Sequence, residues 1–142
     1  MQTEHKRIFV EKELTSAQIK ALVATDVELV AAPGAGKVLV IDGPILLTMK
    51  PAATSPVAYT WANTDHSITV GDVTTDSDGE AQALIEAAAS ARYTTKLIPA
   101  AGQTALTENQ AISIGAAGTG EPVTGNGTLL VKFHCYVVDV TA

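Results

Sequence analysis

Thr128-Leu129-Leu130-Val131-Lys132-Phe133-His134-Cys135-Tyr136-Val137-Val138 places Leu129, Val131, Phe133, Cys135 and Val137 on one parity, with Lys132 and His134 on the other. A period of two is that of a strand with one face covered and the other open. Two more apolar runs resemble it in kind: Lys37-Val38-Leu39-Val40-Ile41-Asp42-Gly43-Pro44-Ile45-Leu46-Leu47, and Ala111-Ile112-Ser113-Ile114. Turn chemistry punctuates the chain at Pro33-Gly34-Ala35-Gly36, Asp76-Ser77-Asp78-Gly79 and Gly125-Asn126-Gly127. Many short strands set apart by Gly, Pro and Asn predict a mainly β protein, an antiparallel β-sandwich of jelly-roll-like topology with one or two short helices.

Working outward, Lys37 to Ile41 is apolar on both parities, so both of its faces are expected to be covered. Gly43-Pro44 interrupts that run, and a proline cannot donate to a ladder in mid-sheet, which predicts a bulge or corner before a second strand over 45–50. Asn126-Gly127 is a two-residue hairpin signal leading into the last strand. Thr15-Ser16-Ala17-Gln18 fits a capping box, and Ile19, Leu22 and Val23 supply one apolar face, so a helix of about two or three turns is expected there. A second helix is expected within 80–91, packing through Leu84, Ile85 and Ala88. Tyr59 and Trp61 share a parity and read as the start of a strand, while Val27, Leu29 and Ala31 read as the inward set of another.

The chain has 142 residues, which fits one domain, and is 46% hydrophobic yet only 4% aromatic, so its core must be aliphatic. Fifteen acidic residues against nine basic ones leave a net charge of −6. Phosphate neutralisation dominates nucleic-acid affinity, so neither nucleic acid nor an anionic membrane is expected as a partner. No run approaches the ~18 apolar residues of a membrane span. The single cysteine and the absence of a signal-like apolar stretch after Met1–Arg7 predict synthesis in a reducing cytoplasm.

Several chemical motifs dissolve on inspection. Gly34-Ala35-Gly36-Lys37 looks like the tail of a phosphate loop, but Ala31 replaces the first glycine, Val38 replaces the magnesium-binding hydroxyl, and a β-run follows where a helix is needed. Asp72, Asp76, Asp78 and Glu80 gather in one loop and Asp76-x-Asp78-Gly79 resembles the middle of a calcium loop, yet that register starts on Thr74 and ends on Ile85, so a solvated acidic turn is expected, with a calcium site of another kind as the alternative. Adjacent strand residues point to opposite faces, so His134 cannot activate Cys135. The three histidines have no ligand spacing. No enzyme, cofactor or metal is expected. Tyr59 and Trp61 are either a stacking platform for a sugar, beside Thr60, Asn63 and Thr64, or anchors of the core or a subunit contact.

The phrases Leu14–Leu22, Val27–Val38, Leu106–Ile114 and Gly127–Lys132 resemble small structural proteins encoded among the head-assembly genes of tailed bacteriophages and prophages. The resemblance implies a capsid decoration, or cement, protein: a β-rich module, often trimeric, on the outer capsid surface, with the major capsid protein and its own copies as partners. It implies a virion location after synthesis in the bacterial host cytoplasm. Arg7 to Glu13 reads as a short strand or an extended arm; on that expectation residues 1–13 are an extended arm and 14–142 one β-rich domain, with Ile8, Phe9 and Val10 anchoring the arm and Tyr59 and Trp61 as further contacts. A receptor- or glycan-binding module built on Tyr59 and Trp61 is the alternative.

Overall fold

Two long strands form the centre of the molecule, β3 (Lys37–Lys50) and β8 (Thr128–Asp139). The structure is a computed structural model and describes residues 7–62, 65–75, 80–87, 92–99 and 107–141. The remaining elements are β1 (Arg7–Leu14), α1 (Ser16–Ile19), β2 (Val27–Val30), β4 (Ser67–Val70), β5 (Val73–Thr74), α2 (Glu80–Ile85), β6 (Tyr93–Leu97) and β7 (Ile112–Ala117). They make two four-stranded antiparallel sheets, in the orders β1-β8-β3-β6 and β2-β7-β4-β5. The chain crosses between the sheets so that the first and last strands pair inside one sheet, the double Greek key of a jelly roll.

The predicted interruption at Gly43-Pro44 is a bulge inside one continuous strand. Asp42 lies opposite His134 and Leu46 opposite Lys132, so β3 takes four steps where β8 takes two. An even insertion preserves parity. Leu39 and Ile41 before the bulge, and Leu47 and Met49 after it, therefore all face the second sheet, opposite Val137, Cys135, Val131 and Leu129. Gly43 takes φ +85, a left-handed conformation that the bulge requires.

The core is mostly aliphatic, with Trp61, Phe133 and Tyr59 as its buried rings. Leu14, Ile45, Leu47, Ile68, Ile114, Leu129 and Val131 are fully buried, each worth about 1.5–3 kcal/mol relative to exposure. The capping box is present: the Thr15 amide donates to Gln18 Oε1 (2.9 Å) and the Gln18 amide to Thr15 Oγ1 (3.3 Å). The helix it starts is shorter than expected. After Ile19 the chain turns, and the Glu121 carboxylate accepts the amides of Val23 (2.6 Å) and Ala24 (2.9 Å), so tertiary contacts replace further helical bonds. In β2 a register shift between Glu28 and Val30 breaks the simple alternation, leaving Val27, Leu29 and Val30 all half-buried and Ala31 exposed.

Three expectations are corrected here. Of the two readings of 7–13 the strand holds and the arm does not: Arg7–Leu14 pairs along its whole length with β8, and Val10 and Leu14 are buried. Residues 1–6 lie outside the described residues. Tyr59 and Trp61 do not start a strand. Their segment makes a single bridge, Thr60 to Val123, and the two rings plug the space between the sheets. Asn126-Gly127 does not close a hairpin, because β7 and β8 belong to different sheets. Instead Asn126 pins the preceding loop: its Oδ1 accepts the Val57 amide (2.7 Å) and its Nδ2 donates to the Ser55 carbonyl (3.0 Å).

The Tyr59 ring rests on the bare Cα of Gly125, and its hydroxyl donates to the Gly127 carbonyl (2.6 Å). A methyl at 125 would overlap that ring. Gly125→Ala is therefore expected to lower unfolding stability by about 1–3 kcal/mol in chemical denaturation. A variant as stable as the parent would show that the ring is not seated there.

Candidate functional site

The β1-β8-β3-β6 sheet has one face in the core and one face open, and the open face is set by the same alternation. Cross-strand pairing orders it into rows: Arg7, Tyr136 and Val40; Phe9, His134 and Asp42; Glu11, Lys132, Leu46 and Lys96; Glu13, Leu130, Thr48 and Thr94. Each row combines apolar and polar side chains. Phe9 is 55% exposed and Leu46 38%, while Leu130, Tyr136 and Val40 are half-buried. The Phe9 ring leans on His134, with centroids 5.0 Å apart and planes at 51°.

Ion pairs stitch this face across the strands. Arg7 Nε lies 3.1 Å from Asp42 Oδ2, Lys132 Nζ 3.6 Å from Glu11 Oε1, and Lys50 Nζ 2.8 Å from Glu13 Oε1. Exposed pairs of this kind contribute only about 0–1 kcal/mol to folding. They are nonetheless ordered charges on a flat surface, available to a partner. The Lys50 ammonium, followed by the Thr128 hydroxyl (2.6 Å), holds the Glu13 carboxyl below its ordinary value.

The five contact residues expected from sequence separate cleanly. Phe9 is on the open face. Ile8 is half-buried and Val10 buried on the core side. Tyr59 (4% exposed) and Trp61 (1% exposed) are inside, so the two rings form no exposed stacking platform; Asn63 and Thr64 lie outside the described residues. Trp61 stacks on His66 (centroids 3.8 Å apart), its Nε1–H donates to the Gly120 carbonyl (2.9 Å), and Gln82 Nε2 donates to its carbonyl (2.9 Å). Burial also pushes the Tyr59 hydroxyl upward. His66 Nε2 lies 2.9 Å from the Thr119 carbonyl and so carries the hydrogen, and buried Nδ1 has no partner among the described residues. These groups are bound up in holding loops together. Leu46 was missed because Gly43-Pro44 hides which parity faces outward after the bulge.

The other sequence candidates are structural. Gly34 and Gly36 take φ +110 and +79 in a turn whose amides are bound by Asn109 Oδ1 (2.8 Å, to Gly34) and by Glu108 (to Gly36), leaving no cradle for phosphate. Asp76 and Asp78 lie outside the described residues. Among the described residues no group of three or more His, Cys, Asp and Glu is placed to hold a metal ion. Cys135 is fully buried on the core face while His134 is on the open one, and desolvation raises the thiol above its ordinary value. A cleft of about 660 Å³ opens beside β3 and β7 and is lined by Asp26, Asp72, Thr69, Gln110 and Ser113 over a floor of Leu39 and Ile112. Among the described residues no histidine or lysine lines it. No family model, curated protein or solved structure matches the chain at a significant level.

Two measurements check this electrostatic and burial pattern. Cys135 is expected to react with a soluble thiol reagent only as fast as the fold opens, and with one equivalent on unfolding; rapid labelling of the native protein would contradict its burial. Glu13 has a lowered folded value, so its contribution is present above the ordinary 4.5 and is lost as pH falls through the folded value. Glu13→Gln is expected to cost at most about 1 kcal/mol near neutrality, since the pair is half exposed, and the gap should close in acid. Parallel stability–pH curves for the two proteins would refute it.

Proposed function

We propose that this chain is a structural, non-enzymatic component of a tailed-bacteriophage or prophage head, a decoration protein that lies on the outer capsid surface. The observation that carries the reading is the open face of the β1-β8-β3-β6 sheet, where Phe9 and Leu46 are exposed among cross-strand ion pairs. Such a surface offers apolar contact and fixed charge together, the mixture that protein–protein interfaces use. The jelly roll supports the reading at the level of architecture, since viral shell proteins are among the classes built on it. Architecture alone assigns no activity, and the phage context comes from the phrases that resemble head-assembly proteins.

A decoration protein needs many modest contacts more than one strong one. Copies linked to each other raise one another's effective concentration at the shell, so self-association multiplies a weak single contact. The resemblance carries the expectation of a trimer for that role. The partner is the major capsid protein, and the bound state is the virion.

The test is co-sedimentation with shells assembled from the major capsid protein of the same genome. The parent chain is expected to pellet with shells and to resist washing. Leu46→Glu, at an exposed position on the open face, is expected to weaken that binding by about tenfold or more while leaving the unfolding transition in place. No association of the parent with shells, or equal association of the variant, would overturn the proposal.

A further inference from the structure

The open edge of β1 carries a self-complementary stretch. β1 is an edge strand of its sheet and, at eight residues, is longer than the edge strands β6, β2 and β5. An edge strand presents unpaired backbone donors and acceptors, which a second strand can complete. Toward its end the strand runs beside α1 and β2, where Lys12 shares a recess with Ala17, Gln18, Ala21, Val27 and Glu28. Toward its start no described strand pairs with its outer edge. Phe9 is 55% exposed, and Ile8 is only half-buried although its parity faces the core.

Arg7-Ile8-Phe9-Val10-Glu11 matches itself when reversed. If two copies of the strand run antiparallel about Phe9, Arg7 of each lies opposite Glu11 of the other. Ile8 lies opposite Val10, and the two Phe9 side chains meet on the axis. Opposite charges and paired apolar residues directly across a ladder are the favourable cross-strand combinations. Neighbouring registers lose this. A slip of two residues sets Phe9 against Glu11 and Ile8 against Lys12. A slip of one residue sets the core face of one sandwich against the open face of the other.

We infer that this edge is a two-fold contact between copies of the chain, in which β1 pairs antiparallel with β1 about Phe9 and joins two four-stranded sheets into one of eight strands. The contact is isologous, so it closes on itself and stops at two copies, in place of the expected trimer. It also lines up two open faces side by side, with the paired Phe9 rings at the seam. Arg7 and Glu11 keep their intrachain partners Asp42 and Lys132 within the same charge ladder.

The test uses the full chain in sedimentation equilibrium with a charge swap. The parent is expected to be a dimer. Arg7→Glu sets Glu against Glu11, and Glu11→Arg sets Arg against Arg7, so each alone is expected to raise the dimer dissociation constant by about tenfold or more. The double variant restores opposite charges across the axis and is expected to return close to the parent. Its intrachain pairs with Asp42 and Lys132 remain broken, so recovery cannot come from repaired folding. Phe9→Cys, at an exposed position, is expected to form an interchain disulfide under mild oxidation. A monomeric parent, a trimer indifferent to these changes, a double variant no better than the singles, or no Phe9→Cys crosslink would each overturn the inference. Dimers of this kind that ignore phage shells would sink the proposed function and leave the edge contact standing; shell binding by a chain without the contact would do the reverse.

Discussion

The pairing of β3 with β8 is the constraint on which the rest of the structure depends. These are the two longest strands, they occupy the centre of one sheet, and their facing residues form the floor of the core. Everything attached to the sheet inherits its parity from them. An odd insertion at Gly43-Pro44 would turn Leu47 and Met49 to solvent and bring Leu46 and Thr48 inward. The observed insertion is even, so one apolar set of β8 serves β3 on both sides of the bulge. The bulge thus absorbs a proline in a central strand without cost to the core.

That arrangement explains the distribution of the few aromatic residues. Aliphatic side chains fill the space between well-paired strands but cannot close the gap where loops cross between sheets. Tyr59 and Trp61 close it, each burying a large ring while its polar atom reaches a carbonyl, Gly127 for one and Gly120 for the other. The carbonyls belong to the loop that links the two sheets before β8. The plug therefore fixes the entry of the central strand, and the glycine at 125 is required by the ring above it. The Nδ1 of His66, without a partner among the described residues, is a local cost of this packing, since the imidazole face is needed against Trp61.

The legible part of the sequence was the part whose signals are local. β8 declares itself through five alternating apolar residues, and the first helix through a cap that needs only four neighbouring residues. The misread part depended on pairing partners far along the chain. Tyr59 and Trp61 alternate as a strand would, but a plug between sheets obeys distance to the core and not period two. Asn126-Gly127 has the composition of a hairpin, yet a hairpin needs its two strands in one sheet, and topology placed β7 and β8 apart. The mixed apolar and charged stretch over 7–13 suits an arm and an edge strand equally. Only the ladder to β8 distinguishes them. Of the exposed apolar residues on the open face, Phe9 was legible and Leu46 was not, because its side depends on the length of the bulge.

The same dependence identifies the part of the molecule free to evolve a partner. The core face of the sheet is bound by packing, and the loop ends by backbone amides donating to the side-chain oxygens of Glu121, Glu108, Asn109 and Asn126. On the open face the ion pairs are exposed and weakly stabilising, so exchanging one for a contact to another molecule leaves folding nearly unchanged. A sandwich that secures its fold from within leaves a large flat sheet face whose side chains can be selected for adhesion alone. Edge strand β1 joins the two roles: its core-facing residues Val10 and Leu14 are bound by packing, and Arg7, Phe9 and Glu11 lie on the open face, where their contacts with Asp42, His134 and Lys132 are exposed.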